Sequence, residues 1–88
     1  MKETRIFKYV VPMDETFVLK LPAGAVPLHF GMQNGDPCLW ARVVESAPMQ
    51  DYKFRFAGTG HVVAGGWTYI GTTFDREFVW HLFWEKQA

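Results

Sequence analysis

The feature that most constrains the fold is the division of the chain into short runs of alternating side chains, separated by turn-forming residues. The runs cover residues 4–12, 16–21, 26–33, 38–46, 51–57, 68–74 and 78–85. A period of two in segments rich in β-branched and aromatic residues is typical of β-strands. The apolar repeat of a helix is not sustained anywhere along the sequence. The pattern therefore predicts an all-β fold, a small antiparallel β-sandwich or partly open barrel of about seven short strands.

The clearest turn signal lies between the third and fourth runs, at Asn34-Gly35. This dipeptide readily adopts the positive φ angles of a tight hairpin turn. Asp36-Pro37 follows at once, and we expect it to lengthen the loop to three or four residues. The third run predicts one shared face for Val26, Leu28, Phe30 and Met32. The fourth run is apolar on both faces, which is typical of a central or covered strand.

The size of the chain predicts one domain, residues 1–88, and its aromatic content predicts more aromatic rings than the core of that domain can bury. Hydrophobic residues make up 49% of the sequence and aromatic residues 17%. Each aromatic side chain can bury roughly 150–250 Å², so a core of useful size is available. Because so short a chain has little interior, we expect some rings to lie in a subunit interface or a ligand pocket. A homo-oligomer is the working hypothesis.

The charge and the cysteine content of the chain restrict the classes of partner and the cellular compartment that we expect. Nine Lys and Arg balance nine Asp and Glu, so the basic footprint of a nucleic-acid-binding protein is missing at the level of net charge. The lone Cys38 allows no intrachain disulfide, which favours a reducing compartment. The sequence has no apolar run near the roughly 20 residues that span a bilayer. These observations predict a cytoplasmic protein with neither a nucleic-acid nor a membrane partner.

The segment that most resembles a binding site is the loop Gly58-Thr59-Gly60-His61. Residues 54–74 hold five of the eight glycines of the chain. Successive amides near glycines can form an anion-binding nest, and an imidazole adds a donor whose charge responds to pH near neutrality. The simpler interpretation is a tight turn with a surface histidine, because short G-x-G patterns are weak signals.

A second candidate binding surface combines cations with an indole. We expect the strands that carry Arg42, Lys53 and Arg55 to be neighbours through the connection at residues 46–50, and in one register these residues share a face with Trp40. Such a surface suits a nucleotide, through stacking and charge-assisted hydrogen bonds. The alternative is an ordinary solvated face, since a slip of one residue reverses every side chain.

Signals for catalysis and metal binding are weak. The carboxylates fall mostly in turns and are not paired along the strands as general acid–base chemistry requires. The spacing of His29, Cys38, His61 and His81 matches no compact zinc pattern. We therefore expect a protein that is not an enzyme and that has no cofactor.

Several motifs resemble those of a known group of proteins. In chain order they are residues 7–9 (FKY), 22–25 (PAGA), 33–41 (QNGDPCLWA), 58–61 (GTGH), 69–72 (YIGT) and 78–81 (FVWH). The sequence is similar to a family of short, uncharacterised proteins encoded by tailed phages and prophages. The resemblance implies a small accessory protein in the cytoplasm of the infected cell. It implies no particular activity.

Three functions follow as hypotheses. The first is a non-enzymatic counter-defence protein that sequesters a small anionic ligand, such as a cyclic nucleotide, as a homo-oligomer. The second is a protein–protein inhibitor of a host defence enzyme, similar in role to anti-CRISPR proteins. The third is a minor structural or assembly protein of the virion.

Overall fold

The computed structural model describes residues 3–86, which form seven β-strands and no helix. The strands are β1 (Arg5–Val10), β2 (Thr16–Pro22), β3 (Val26–Gln33), β4 (Asp36–Val43), β5 (Met49–Gly58), β6 (Trp67–Asp75) and β7 (Phe78–Glu85). The prediction of an all-β fold with about seven short strands is confirmed.

The strands form two antiparallel sheets that face each other as a sandwich. One sheet has three strands in the order β1-β4-β3, and the other has four in the order β2-β5-β7-β6. The fully buried side chains of the described residues are aliphatic or aromatic, together with the thiol of Cys38, and none of them is charged. Tyr52, Phe54 and Phe56, which alternate with polar residues along β5, lie on its inner face. A hydrophobic core between two sheets therefore organises the fold.

The strand β4 has a distinct inner and outer face. Leu39, Ala41 and Val43 are buried in the core, whereas Arg42 is exposed and Trp40 is partly exposed on the opposite face. Because β4 pairs with both β1 and β3, it is the central strand that its two apolar faces predict.

The β3–β4 hairpin has a two-residue turn, so the expected loop of three or four residues is wrong. Asn34 and Gly35 have φ angles of 53° and 81°, and Gln33 pairs with Asp36 directly after them. Pro37 fits into β4 because its backbone edge points towards β1, where its carbonyl accepts a hydrogen bond from the Val11 amide at 3.0 Å. Its missing N–H therefore removes no bond from the β3–β4 ladder.

A β-bulge in β3 overturns the predicted shared face of Val26, Leu28, Phe30 and Met32. The register changes between Pro27, which pairs with Ala41, and His29, which pairs with Trp40. Phe30 is buried, while Val26 and Leu28 are about half exposed. One extra residue in a bulged strand shifts all following side chains to the other face. The bulge thereby places the imidazole of His29 beside Trp40 on the outer face.

The two sheets approach most closely where β3 passes β6. A β-carbon placed on Gly71 would lie 3.2 Å from the Phe30 Cβ and 3.4 Å from the Phe30 backbone nitrogen. A second bulge, between Tyr69 and Gly71, brings this glycine against β3. Gly71 is thus required for close approach of two backbones.

Gly71→Ala should lower the free energy of unfolding by roughly 1–3 kcal/mol, because the added methyl group forces two packed strands apart. Gly65→Ala is the matched control, since a β-carbon there meets no atom within 4 Å. Urea unfolding followed by tryptophan fluorescence measures both. Equal transition midpoints for the two variants would show that the strands separate without cost.

Candidate functional site

The structure separates the four residues of the predicted cationic and aromatic surface. Trp40 and Arg42 lie on the outer face of the three-stranded sheet, and Lys53 and Arg55 lie on the outer face of the four-stranded sheet. The expectation that β4 and β5 would be neighbours is wrong, because the connection between them crosses from one sheet to the other. A single surface formed by all four residues does not exist in this fold.

The loop Gly58-Thr59-Gly60-His61 closes on itself. The His61 amide donates to the Gly58 carbonyl at 3.0 Å, and the Gly58 amide donates to the His61 Nδ1 at 3.0 Å. Gly60 supplies the positive φ angle of the turn, 93°. Since the Gly58 amide is engaged by the imidazole, this geometry favours the tight-turn interpretation over an anion-binding nest.

Arg55 connects the same loop to the β1–β2 connection. Its Nη1 forms an ion pair with the Glu15 carboxylate at 2.8 Å, and its Nη2 donates to the Val62 carbonyl at 3.0 Å. Only 15% of the Arg55 side chain is exposed. The guanidinium is therefore committed to these internal partners. The hydrogen bond and the charge of Arg55 lower the pKa of the Glu15 carboxyl, with a smaller contribution from the charge of His61 and partial opposition from desolvation.

The Glu15–Arg55 pair should make the fold sensitive to acid. Glu15 has a lower pKa in the folded protein than the value of about 4.3 in an unfolded chain. Its contribution is therefore fully present above about pH 4.3 and is lost as the pH falls through the folded-state pKa. We expect the stability difference between the wild type and Glu15→Gln to shrink as the pH is lowered from 7 to about 3, measured by urea unfolding.

The control for this prediction is the same substitution in an Arg55→Gln background. Removing the guanidinium removes the main cause of the lowered Glu15 pKa. Glu15→Gln should then change stability by an amount that depends much less on pH. A difference that is the same at every pH in both backgrounds would refute the linkage.

Sequence reasoning missed a hydrogen-bonded chain of side chains on the outer face of the four-stranded sheet. The Tyr69 hydroxyl lies 2.6 Å from the Thr72 Oγ1, which lies 2.8 Å from the His81 Nδ1. The His81 Nε2 lies 2.9 Å from the Thr59 Oγ1. A signal for part of it was present, because a two-residue turn at Arg76-Glu77 places Thr72 opposite His81.

This series of hydrogen-bonded side chains anchors the loop Gly58–His61, the glycine-rich loop, to the sheet. Both ring nitrogens of His81 are occupied, and one of them holds Thr59 in the loop. A hydroxyl within hydrogen-bond reach of an oriented imidazole is also a feature of activated nucleophiles. Two cavities of the protein are relevant here, a small one beside this loop and an open groove at the other end of the sandwich. Thr59 lines neither of them. The geometry supports a structural role for the chain.

The open groove lies at the opposite end of the sandwich from the glycine-rich loop. Its volume is about 600 Å³. Its walls are residues 24–27, which span the β2–β3 turn and the start of β3, and residues 68–70 of β6. Its other lining residues are Gln50, Tyr52, Trp84 and Lys86. The volume lies within the range of small-molecule sites.

The aromatic side of the groove is rigidly supported. Trp84 stacks on the buried Tyr52 ring, with centroids 5.8 Å apart and planes 26° apart. The Tyr52 hydroxyl accepts a hydrogen bond from the Gly24 amide at 3.0 Å, which fixes the turn that forms one wall. Trp84 is partly exposed, and Thr68, Tyr69 and Lys86 are exposed. The groove therefore offers ring surface, the hydroxyl of Thr68 and the cation of Lys86.

A second, smaller cavity lies beside the glycine-rich loop. Its volume is about 280 Å³, and it is lined by residues 13–15, Phe56, His61 and Trp80. The indole nitrogen of Trp80 is buried and has no hydrogen-bond partner among residues 3–86. His61 is therefore the member of the predicted loop site that faces this cavity.

Two absences concern the part of the chain that the structure describes. No group of three or more His, Cys, Asp or Glu residues is arranged to hold a metal ion there. No helix in it is long and apolar enough to cross a membrane.

Comparison with known proteins gives the family of the chain but not its activity. Residues 2–88 match a family described as a domain of unknown function, DUF7352. The protein belongs to this family. No curated protein and no solved structure shows significant similarity to it. Functional inference for this DUF7352 protein therefore depends on its own geometry.

Proposed function

We propose that this protein is a non-enzymatic binding module that holds a small anionic ligand with a planar ring, such as a cyclic nucleotide, in the groove beside Trp84. One observation carries the proposal: the groove combines a supported indole with a lysine. The ligand is of the small anionic class that the sequence suggests, but it lies in the groove and not at the loop Gly58–His61.

The groove has the chemical features that a nucleotide requires. A base can lie against the ring of Trp84 or Tyr69, because aromatic surface is tolerant of base identity. Lys86 supplies a charge for a phosphate, and Thr68 supplies a hydroxyl group. A few polar groups around an apolar wall are typical of ligand sites.

The biological setting of the proposal rests on the phage resemblance and on exposed rings. We propose a counter-defence protein in the cytoplasm of the infected cell, acting as a homo-oligomer. Phe74 is 70% exposed, and Tyr69 and Phe78 are also more than half exposed. These rings lie on the β6–β7 hairpin, and exposed apolar patches often mark interfaces. Native mass spectrometry of gently purified protein measures the oligomeric state and any retained ligand together.

Lys86→Glu should weaken binding of cyclic nucleotides roughly tenfold or more, since a hydrogen bond to a charged group is worth about 1.5–3 kcal/mol. Isothermal titration calorimetry with 3′,5′-cyclic AMP and 3′,5′-cyclic GMP measures the affinity. Lys53→Glu is the matched control, because it makes the same charge change outside the groove.

The same titrations separate the groove from the glycine-rich loop. Arg55→Ala and His61→Ala should leave the affinity unchanged if the ligand occupies the groove. If these two variants lose binding while Lys86→Glu retains it, the ligand site is the loop. Absence of binding to the wild type for both nucleotides would remove the cyclic-nucleotide proposal.

A second candidate function, inhibition of a host defence enzyme by direct protein contact, is favoured by a different observation. The outer side of the β6–β7 hairpin carries Phe74, Val79 and Phe83, together with Tyr69. Aromatic residues are enriched among the hot spots of protein–protein interfaces. Recovery of the same host enzyme by wild-type protein but not by Phe74→Asp, with unchanged folding, would support this function.

A further inference from the structure

The outer face of the three-stranded sheet presents apolar and cationic side chains in register. Three rows cross the strands: Ile6, Arg42 and Val26; then Lys8, Trp40 and His29; then Val10, Cys38 and Gly31. We refer to the outer side of the sheet at these nine positions, two of which (Cys38 and Gly31) are buried, as the Trp40 face. It lies on the far side of its sheet from the core.

The apolar members of the Trp40 face are unusually exposed. Ile6, Val10 and Val26 are 63%, 55% and 50% exposed, and the Trp40 ring is partly exposed beside them. Single exposed aliphatic residues are normal on proteins, but a contiguous group is typical of an interaction surface. Here the register places all of them on three adjacent strands.

The charge of the Trp40 face is positive and is not neutralised by bound acids. Lys8 donates to the Gln33 side chain at 2.8 Å, and Arg42 donates to the Thr4 hydroxyl at 3.2 Å. Both partners are neutral. The ion pairs of the described residues lie elsewhere, at Arg5–Glu45, Lys20–Asp51 and Arg55–Glu15. Asp36 is the acidic strand residue with the same orientation, and it lies beyond these rows at the hairpin end.

The ring of His29 lies close to the backbone of this sheet. A β-carbon on Gly31 would lie 2.9 Å from the His29 Nε2, so the glycine lets the imidazole lie down on the sheet. The ring centroids of His29 and Trp40 are 5.7 Å apart. The Lys8–Gln33 hydrogen bond crosses β4 from β1 to β3 over the row that contains the buried Cys38.

The dimensions of the face fit one helix. Three neighbouring strands place their outer two about 10 Å apart, which is close to the diameter of an α-helix. A strand of eight residues such as β4 extends about 26 Å, the length of roughly 17 helical residues. A helix laid along β4 would cover the whole face.

We propose that the Trp40 face docks an acidic amphipathic helix of a partner protein. Aliphatic side chains of the helix contact Ile6, Val10 and Trp40, and its carboxylates lie towards Lys8, Arg42 and His29. Charge complementarity selects an acidic partner, and the excess of aliphatic residues over rings selects a protein over single-stranded nucleic acid. The proposal does not depend on a ligand in the groove.

The test uses three defined probes in titrations monitored by amide NMR shifts. The first is a synthetic helical peptide of about 17 residues with one leucine stripe and glutamate on both sides of it. The second is the same peptide with lysine in place of glutamate, and the third is an oligothymidylate of similar length. We expect saturable shifts confined to β1, β3 and β4 with the acidic peptide and none there with the basic one.

Charge reversal identifies the residues involved. The double variant Lys8→Glu/Arg42→Glu should bind the acidic peptide at least about tenfold more weakly, because it replaces attraction by repulsion. Lys20→Glu/Lys53→Glu makes the same change on the other sheet and should bind like the wild type. Retained amide-shift dispersion in both variants shows that they are folded.

Four outcomes would overturn the proposal. They are no shifts on this face with the acidic peptide, equal affinity for both peptides, tighter binding of the oligothymidylate at the same amides, and an acidic-peptide affinity that the Lys8→Glu/Arg42→Glu variant retains. Failure of the cyclic-nucleotide titrations would leave these measurements unaffected, since the groove and the Trp40 face are tested with different probes and variants.

Discussion

The structure depends above all on the aromatic column of β5. The stacked rings of Phe17 and Phe54 lie 5.3 Å apart within the four-stranded sheet, and Phe56 meets Phe30 of the opposite sheet edge-on at 5.4 Å. Tyr52 continues the column to the groove, where it supports Trp84. Burial of such rings is the main stabilising contribution available to a small domain. One strand thus supports the core and the ring wall of the candidate site.

The small size of the core also explains why apolar side chains lie on both outer faces among polar ones. A sandwich of this size has one thin core layer, and the inner faces of seven strands already fill it. The remaining rings and aliphatic residues must face outwards, as Phe74 and Ile6 do. Composition indicated this excess correctly, but it could not say on which strands the excess would lie. That depends on the register, which two bulges alter.

How much the sequence could predict follows from the range of the interactions involved. Alternation within a strand is local, so the inward face of β5 was predictable. Hairpin register is nearly local, and a two-residue turn at Asn34-Gly35 would have placed His29 opposite Trp40. The pairing of β5 with β2 and β7 is not local. The predicted surface that joined Arg42 to Arg55 failed at this step, because chain neighbours need not be sheet neighbours.

The glycine-rich loop shows why a concentration of glycines is a poor guide to a binding site. Its unusual residues each have a structural role, since Gly60 turns the chain, Gly58 leaves room for the ring of His61, and Thr59 bonds to His81. Its hydrogen-bonding groups are directed to one another, and a ligand would have to compete with these bonds. The groove at the other end has the reverse character, because its lysine lies exposed beside a ring held rigidly from behind. A charged group beside supported ring surface is a feature of ligand sites, and this difference favours the groove as the ligand site.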